Sequence, residues 1–372
     1  MGTNRQAPQQ SVIGQVLAIL CVVLFCVPLI GLGIGIGAIL TNFRTRGWPR
    51  TLAWVGAGLG LAVTVLSIVF VGLFTILVQY AQSRNLSPAS VPLVEARKGF
   101  QTKLLQQGTA KEPAPEPPAD VFSIVHYPAP SGNLVAYLTP EPQDGRKHAA
   151  IIWITGGDSN SLEDVWTDRP ASNDQSAAAF RQAGMVMMFP SLRGGNDNPG
   201  AKEGFLGEVD DVLAARSFLA EQPYVDPARI YLGGHSTGGT LTLLVAECSS
   251  QFRAIFSFGP VHDVNLYGPE FRPFDQSNPR EIELRSPGPW LGFIRTPTFV
   301  IEGASRPGNI GELTALSRAS TNQFLHFVPV PNADHFSVLA PMTRLIAQKI
   351  QSDSGPECTL TFTELELSHL VR

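Results

Sequence analysis

From about Val121 onward the chain repeats one pattern: a short, wholly apolar run, a stretch with helical spacing, then another apolar run. The runs are "AAIIWIT" (149–155), "GMVMMFP" (184–190), "RIYLG" (229–233), "RAIFSFG" (253–259), "PTFVIEG" (297–303) and "FLHFVPV" (324–330). A strand apolar at every position needs cover on both faces, and strands of that kind alternating with helices build a mostly parallel sheet between two helical layers. In "GEVDDVLAARSFLAEQ", Val209, Val212, Leu213 and Leu219 share one helical face, the one expected against the sheet. The expected fold class is therefore α/β, doubly wound and mostly parallel.

Within that frame, "GGHSTGG" (233–239) follows one apolar strand and precedes the helical run "TLTLLVAEC". Gly234-His235-Ser236-Thr237-Gly238 fits G-x-S-x-G, a sharp strand-to-helix turn that holds a serine in a strained conformation between glycines that have no Cβ to clash. A nucleophilic serine needs a base, commonly a histidine held by a carboxylate, and on this kind of sheet the acid and the histidine follow the serine in that order. His335, in "PNADHFSVL" after the last apolar run, has the right place in the chain; His262 comes too early and His326 lies inside a strand. His235, beside the nucleophile, is read as packing or support. The oxyanion donors expected are backbone amides: that of Thr237 after the serine, and one from the loop "WITGGDSNS".

Residues 120 to 350 resemble the catalytic domain of the prolyl oligopeptidase family within the α/β-hydrolase superfamily. The residues that carry the resemblance are "PSLRGGNDNPG", "GEVDDVLAARSFLAEQPYVDPARIYLGGHSTGG", "IRTPTFVIEG" and "ADHF". The resemblance implies a serine hydrolase that acts on a small peptide or ester through an acyl-enzyme. Matching "TGG" to that family's "HGG" selects Gly157 as the second oxyanion donor. The family usually carries its aspartate three residues after the glycine that ends the seventh strand, where this chain has Arg306 in "EGASRPGNIGE". Glu302, at the strand end, is the first choice for the acid; Asp263 in "GPVHDV" is the alternative, with Glu312 and Asp334 more remote. No propeller-sized stretch precedes the hydrolase core, so the gate is expected to be local, between Asn265 and Trp290. Carboxylesterase activity without peptidase activity, and a non-catalytic binding domain on the same fold, remain alternatives.

The N-terminal region reads differently. Val12 to Leu40 and Leu52 to Val78 are apolar and free of charged side chains, over more than the roughly 20 residues that cross a bilayer. They are expected to form two membrane spans, the first broken or tilted near Pro28, and resemble a small two-span membrane domain of unknown function found in bacterial proteins. Arg44, Arg46 and Arg50 between them would stay cytoplasmic, placing the C-terminal part outside and making the bilayer a partner. The expected organisation is an anchor over 1–80, a Pro-rich linker over 81–120 ("LSPAS", "KEPAPEPPAD"), the hydrolase domain over 121–351 and a tail over 352–372, either an added edge strand or disordered. The formal net charge of −4 with no basic stripe argues against nucleic acid as a partner, and the four cysteines show no metal-ligand spacing. No cofactor or metal is expected.

Overall fold

The computed structural model describes residues 86–106, 112–167 and 169–371, with scattered helical positions between 62 and 72. The chain divides into two compact units, Met1–Arg84 and Asn85–Arg372. Among the described residues no helix is long and apolar enough to cross a membrane. The stretch 12–40 and most of 52–78 lie outside the described residues. The expected two-span hairpin, its likeness to a two-span membrane domain, the bilayer partner and the extracytoplasmic placement are accordingly corrected, and none of them is assigned.

The second unit opens with α1 (Leu93–Arg97) and the hairpin β1 (Ser123–Ala129) and β2 (Gly132–Leu138). There follow β3 (His148–Ile154), α2 (Ala179–Gln182), β4 (Val186–Pro190), α3 (Glu208–Ala220), β5 (Val225–His235) and α4 (Thr237–Cys248). The rest is β6 (Ile255–Phe258), α5 (Pro279–Glu283), β7 (Thr298–Gly303), α6 (Ile310–Ala319), β8 (Leu325–Val330), α7 (Leu339–Ser352) and α8 (Glu364–Ser368). All strands join one sheet in the order β1-β2-β4-β3-β5-β6-β7-β8. β3 to β8 pair in parallel, while β2 pairs antiparallel with both β1 and β4. Each apolar run of the sequence became a strand. The hairpin at the edge was not foreseen, because "SIVHYPA" is only partly buried and carries a proline, which edge strands tolerate.

The two faces explain the apolar strands. In β3, Ala150, Ile152 and Ile154 point into one core with Val209 and Leu219 of α3 and Leu241 of α4. Ala149, Ile151 and Trp153 point into the other, with Phe180 of α2 and Met342 and Ile346 of α7. In α3 the buried face also takes Glu208 and Asp211, which helical spacing of apolar residues does not reveal.

Two segments outside the strand-and-helix repeat are packed. Leu93 is fully buried, and the Arg97 guanidinium donates to the carbonyls of Phe205, Leu206 and Leu284. Further along, Leu105 and Gln106 donate their amides to Pro273 O at 2.7 and 3.2 Å, which straps residues 103–106 to the 265–290 segment. Among its described residues the tail forms no strand. It packs on the second core through Phe362, edge-on to Phe299 at 5.1 Å between ring centroids, and a Thr363–Glu366 capping box starts α8.

Asp353 anchors that tail. It takes Arg253 Nε and Nη2, both at 2.8 Å, and Tyr231 Oη at 2.7 Å. Burial opposes its ionisation, but hydrogen bonds from Arg253 and Tyr231 outweigh that and hold the carboxyl down to about 2. Because the folded value lies below the usual 3.8, this contribution to stability is complete above about pH 4 and is lost as pH falls toward about 2. Asp353→Ala is expected to cost about 3 kcal/mol by leaving the Arg253 guanidinium buried and unpaired. Urea unfolding at neutral pH checks this, and the gap between variant and wild type should narrow in acid.

Candidate active site

β5 is buried from Ile230 to His235 and α4 from Thr237 to Glu247; Ser236, between them, is the one residue in that stretch that is not buried. Its backbone sits at φ 56°, ψ −113°. That region is costly for any side chain and persists only where the surroundings enforce it. Here they do: Ser236 N donates to Phe258 O at 2.8 Å at the end of β6, and Ser236 O accepts from Thr240 N at 2.9 Å in the first turn of α4. Gly238 lies so close to β3 that a Cβ would run into the Ile154 carbonyl oxygen.

His335 lies in the loop between β8 and α7, 8% exposed, with its amide donating to Pro307 O at 3.1 Å. Its Nδ1 is 2.9 Å from Glu302 Oε2. The other oxygen of Glu302 accepts from Gly303 N at 3.0 Å, and the residue is fully buried. Of the four carboxylates considered from the sequence, Glu302 is the one against His335. Asp263 instead caps the short helical turn Val264–Leu266 and takes Ser286 Oγ at 3.2 Å. Glu312 pairs with His262 Nδ1 at 2.5 Å, and Asp334 takes Ser337 N at 2.8 Å and Phe336 N at 3.0 Å. Arg306 is exposed. A glutamate has one methylene more than an aspartate, so a residue still within the strand reaches the histidine that a shorter acid would meet from the loop.

No hydrogen bond joins Ser236 Oγ to His335 Nε2, and neither atom has another partner among the described residues. The elbow and the histidine loop meet through shared supports. The rings of His235 and His335 are 4.5 Å apart between centroids, and Gly259, one residue past the Phe258 carbonyl that holds Ser236, lies under the His335 ring. Sequence reasoning missed Gly259; it ends an apolar run, and that position was its only signal. At φ 57° a Cβ there would collide with His335 Cε1 and stand 2.6 Å from Glu302 Oε2. Gly259→Ala is expected to lower turnover about a hundredfold by displacing the ring, while thermal unfolding stays cooperative; a displacement of about 1 Å is enough for a loss of that size.

Gly157, at φ 78°, accepts Thr237 Oγ1 on its carbonyl at 2.9 Å, which ties the loop after β3 to the start of α4. The amides of Gly157 and Thr237 have no acceptor among the described residues. Behind this loop, Asn160 Nδ2 donates to Arg193 O at 2.8 Å, and Arg193 grips Asp211 through Nε at 2.9 Å and Nη2 at 2.8 Å. The buried carboxylate of Glu208 collects the amides of Glu203, Gly204 and Leu206. Asp211 thereby holds the "PSLRGGNDNPG" loop at Arg193, and Glu208 holds the stretch that follows it.

A cavity of about 460 Å³ opens beside Gly157. Phe205, Phe271 and Pro273 give it apolar walls, Asp158, Lys202 and Glu270 a polar rim. Gln106 from the strap and Glu270, Phe271 and Pro273 from the 265–290 stretch line one side of it.

Residues 171–282 match the sequence pattern of the Prolyl oligopeptidase family. A Bacillus subtilis protein called "Uncharacterized peptidase YtmA" is 26% identical over 204 residues, 51% of this chain and 75% of that one. Among solved structures, dipeptidyl peptidase 4 of Porphyromonas gingivalis superposes with a TM-score of 0.51 at 18% identity, over 62% of this chain and 35% of its own. A puromycin-hydrolyzing peptidase of Mycobacterium tuberculosis gives 0.50 at 17% identity, over 62% and 39%. The chain thus spans well under half of the length of these two structures. The second unit has the α/β-hydrolase fold, and its similarities support a hydrolase.

Proposed function

We propose that this chain is a serine hydrolase that cleaves small ester or peptide substrates through an acyl-enzyme on Ser236. The observation that carries the reading is the half-buried residue between the buried stretches 230–235 and 237–247: a serine at positive φ, whose neighbour His235 lies against His335, an imidazole held at Nδ1 by a buried carboxylate. Ser236 Oγ attacks the substrate carbonyl carbon while His335 Nε2 takes the hydroxyl proton. Glu302 keeps the Nδ1 proton in place and stabilises the imidazolium. The amides of Thr237 and Gly157 receive the oxyanion, which they can do without reorganising because both are backbone donors with no other task. His335 then returns the proton to the leaving amine or alcohol, and water repeats the cycle to free the acid. The attack needs Ser236 Oγ within hydrogen-bond reach of Nε2, a contact that is often long before substrate binds.

Two features bear on substrate. The cavity of about 460 Å³ beside Gly157 suits a compact substrate group with an apolar or aromatic body. Asp158 on its rim is paired with Lys202 at 2.6 Å, which leaves Glu270 as the rim charge that disfavours an anionic one. Prolyl oligopeptidase-like peptidase action is the finer reading, supported by the match over residues 171–282 and by the name of the B. subtilis relative.

A fluorophosphonate probe tests the nucleophile, since it forms a covalent bond only with an activated serine; folded wild-type protein that takes no label would reject the enzyme in favour of a binding domain. Short acyl p-nitrophenyl esters compared with aminoacyl and prolyl amides then divide the reaction class. Turnover of esters with none of amides would assign a carboxylesterase.

A further inference from the structure

Two polar side chains next to the proposed nucleophile take no part in that chemistry. His235 is 1% exposed; Gln175, from the loop before α2, is half-buried. His235 Nε2 lies 2.9 Å from the backbone carbonyl of His335, and His235 Nδ1 lies 2.8 Å from Gln175 Nε2. Gln175 Oε1 accepts from Gly156 N at 3.1 Å, and Gln175 Nε2 also donates to Asn173 Oδ1 at 2.9 Å.

Donor and acceptor rules allow this chain only one direction. A carbonyl oxygen accepts only, so His235 Nε2 carries the hydrogen and Nδ1 bears a lone pair. That lone pair needs a donor, which turns the amide nitrogen of Gln175 toward it and leaves Oε1 for Gly156. Every polar atom is then satisfied with His235 neutral. Protonation of His235 would set an N–H against the Gln175 amide hydrogens. Burial, with the charge of His335 adding, holds its pKa down to about 3. His335 is the titratable group that faces the ring, while Phe336 and Gln175 supply neutral contacts.

The chain connects three segments far apart in sequence: the loop before the oxyanion donor Gly157, the elbow, and the histidine loop. We infer that Gln175 and His235 are positioning residues, which hold the backbones of Gly156 and His335 at one spacing so that the Gly157 amide and the His335 ring are aimed at Ser236 before substrate arrives. The inference rests on the hydrolase reading above. Its physical basis is preorganisation: donors and base already in place need no rearrangement as charge develops.

Two measurements on the full chain test it. In protein labelled with ¹⁵N-histidine, one of the seven imidazoles is expected to stay neutral with its proton on Nε2 from about pH 8 to about pH 5, below the ordinary pKa of about 6.5. His235→Gln identifies that signal. In Gln175→Glu the carboxylate still accepts from Gly156 but draws a proton onto Nδ1, so the same imidazole should titrate between about pH 6 and about pH 8; a residue that merely fills space would not move it. In Gln175→Leu, kcat toward an ester is expected to fall about tenfold with KM within about twofold. An imidazole at 235 that titrates normally in the wild type, or Gln175→Leu with wild-type kcat, overturns the inference. Wild-type protein that takes no fluorophosphonate overturns the hydrolase reading and with it the catalytic purpose of the chain, while the imidazole signal separately decides whether the chain exists.

Discussion

Ser236→Ala is expected to abolish fluorophosphonate labelling and to lower kcat about a millionfold, with the folded state intact. The size follows from the role: without the hydroxyl no acyl-enzyme forms, and what remains is whatever the oxyanion donors and the cavity do for direct attack by water. The fold should tolerate the change, because Ser236 is the one residue between 230 and 247 that is not buried and its Oγ has no partner among the described residues. Alanine keeps the Cβ, so it neither relieves nor adds strain at φ 56°. Titration with the probe against ester turnover is the measurement. Labelling that survives the substitution would move the nucleophile elsewhere.

Glu302→Gln should have the next largest effect, a fall in kcat of about ten-thousandfold. Glu302 is fully buried, and its Oε2 stands 2.9 Å from His335 Nδ1. The amide of glutamine fits the same space. However, it can present its NH₂ to Nδ1 and so favour the tautomer that places the imidazole hydrogen on Nε2, toward the serine, where a base cannot use it. It also brings no charge to stabilise the imidazolium. KM should change little, since Glu302 does not line the cavity. Asp263→Asn is the control, expected to keep the cap on Val264–Leu266, since an amide oxygen accepts the same bond, and to leave the chemistry within about threefold of wild type. The reverse outcome, a slow Asp263 variant and a fast Glu302 variant, would transfer the acid to Asp263.

Parts of this protein can be read from its sequence because local chemistry specifies them. A strand covered on both faces is apolar at every residue, so the six parallel strands stand out as uninterrupted runs. A tight strand-to-helix turn needs glycines beside the serine, so the elbow at Ser236 is visible in five residues. His335 and Glu302 are nameable by their place after particular strands. What bears on the site over distance is not visible. The spacing of Glu302 from His335 depends on β7 and β8 lying side by side in register, and its distinction from Asp263, Glu312 and Asp334 comes from what each of those others is bonded to. Gly259 and Gln175 carry no pattern of their own; they matter because β6 and the loop before α2 approach residues 335 and 235 in space. The strap over 103–106 was read as linker because prolines nearby suggest an extended chain, yet backbone amides bond to any carbonyl they meet, and Pro273 supplies one. Local preference is set by neighbours a few residues away, whereas a catalytic arrangement is set by which strand ends the sheet brings together.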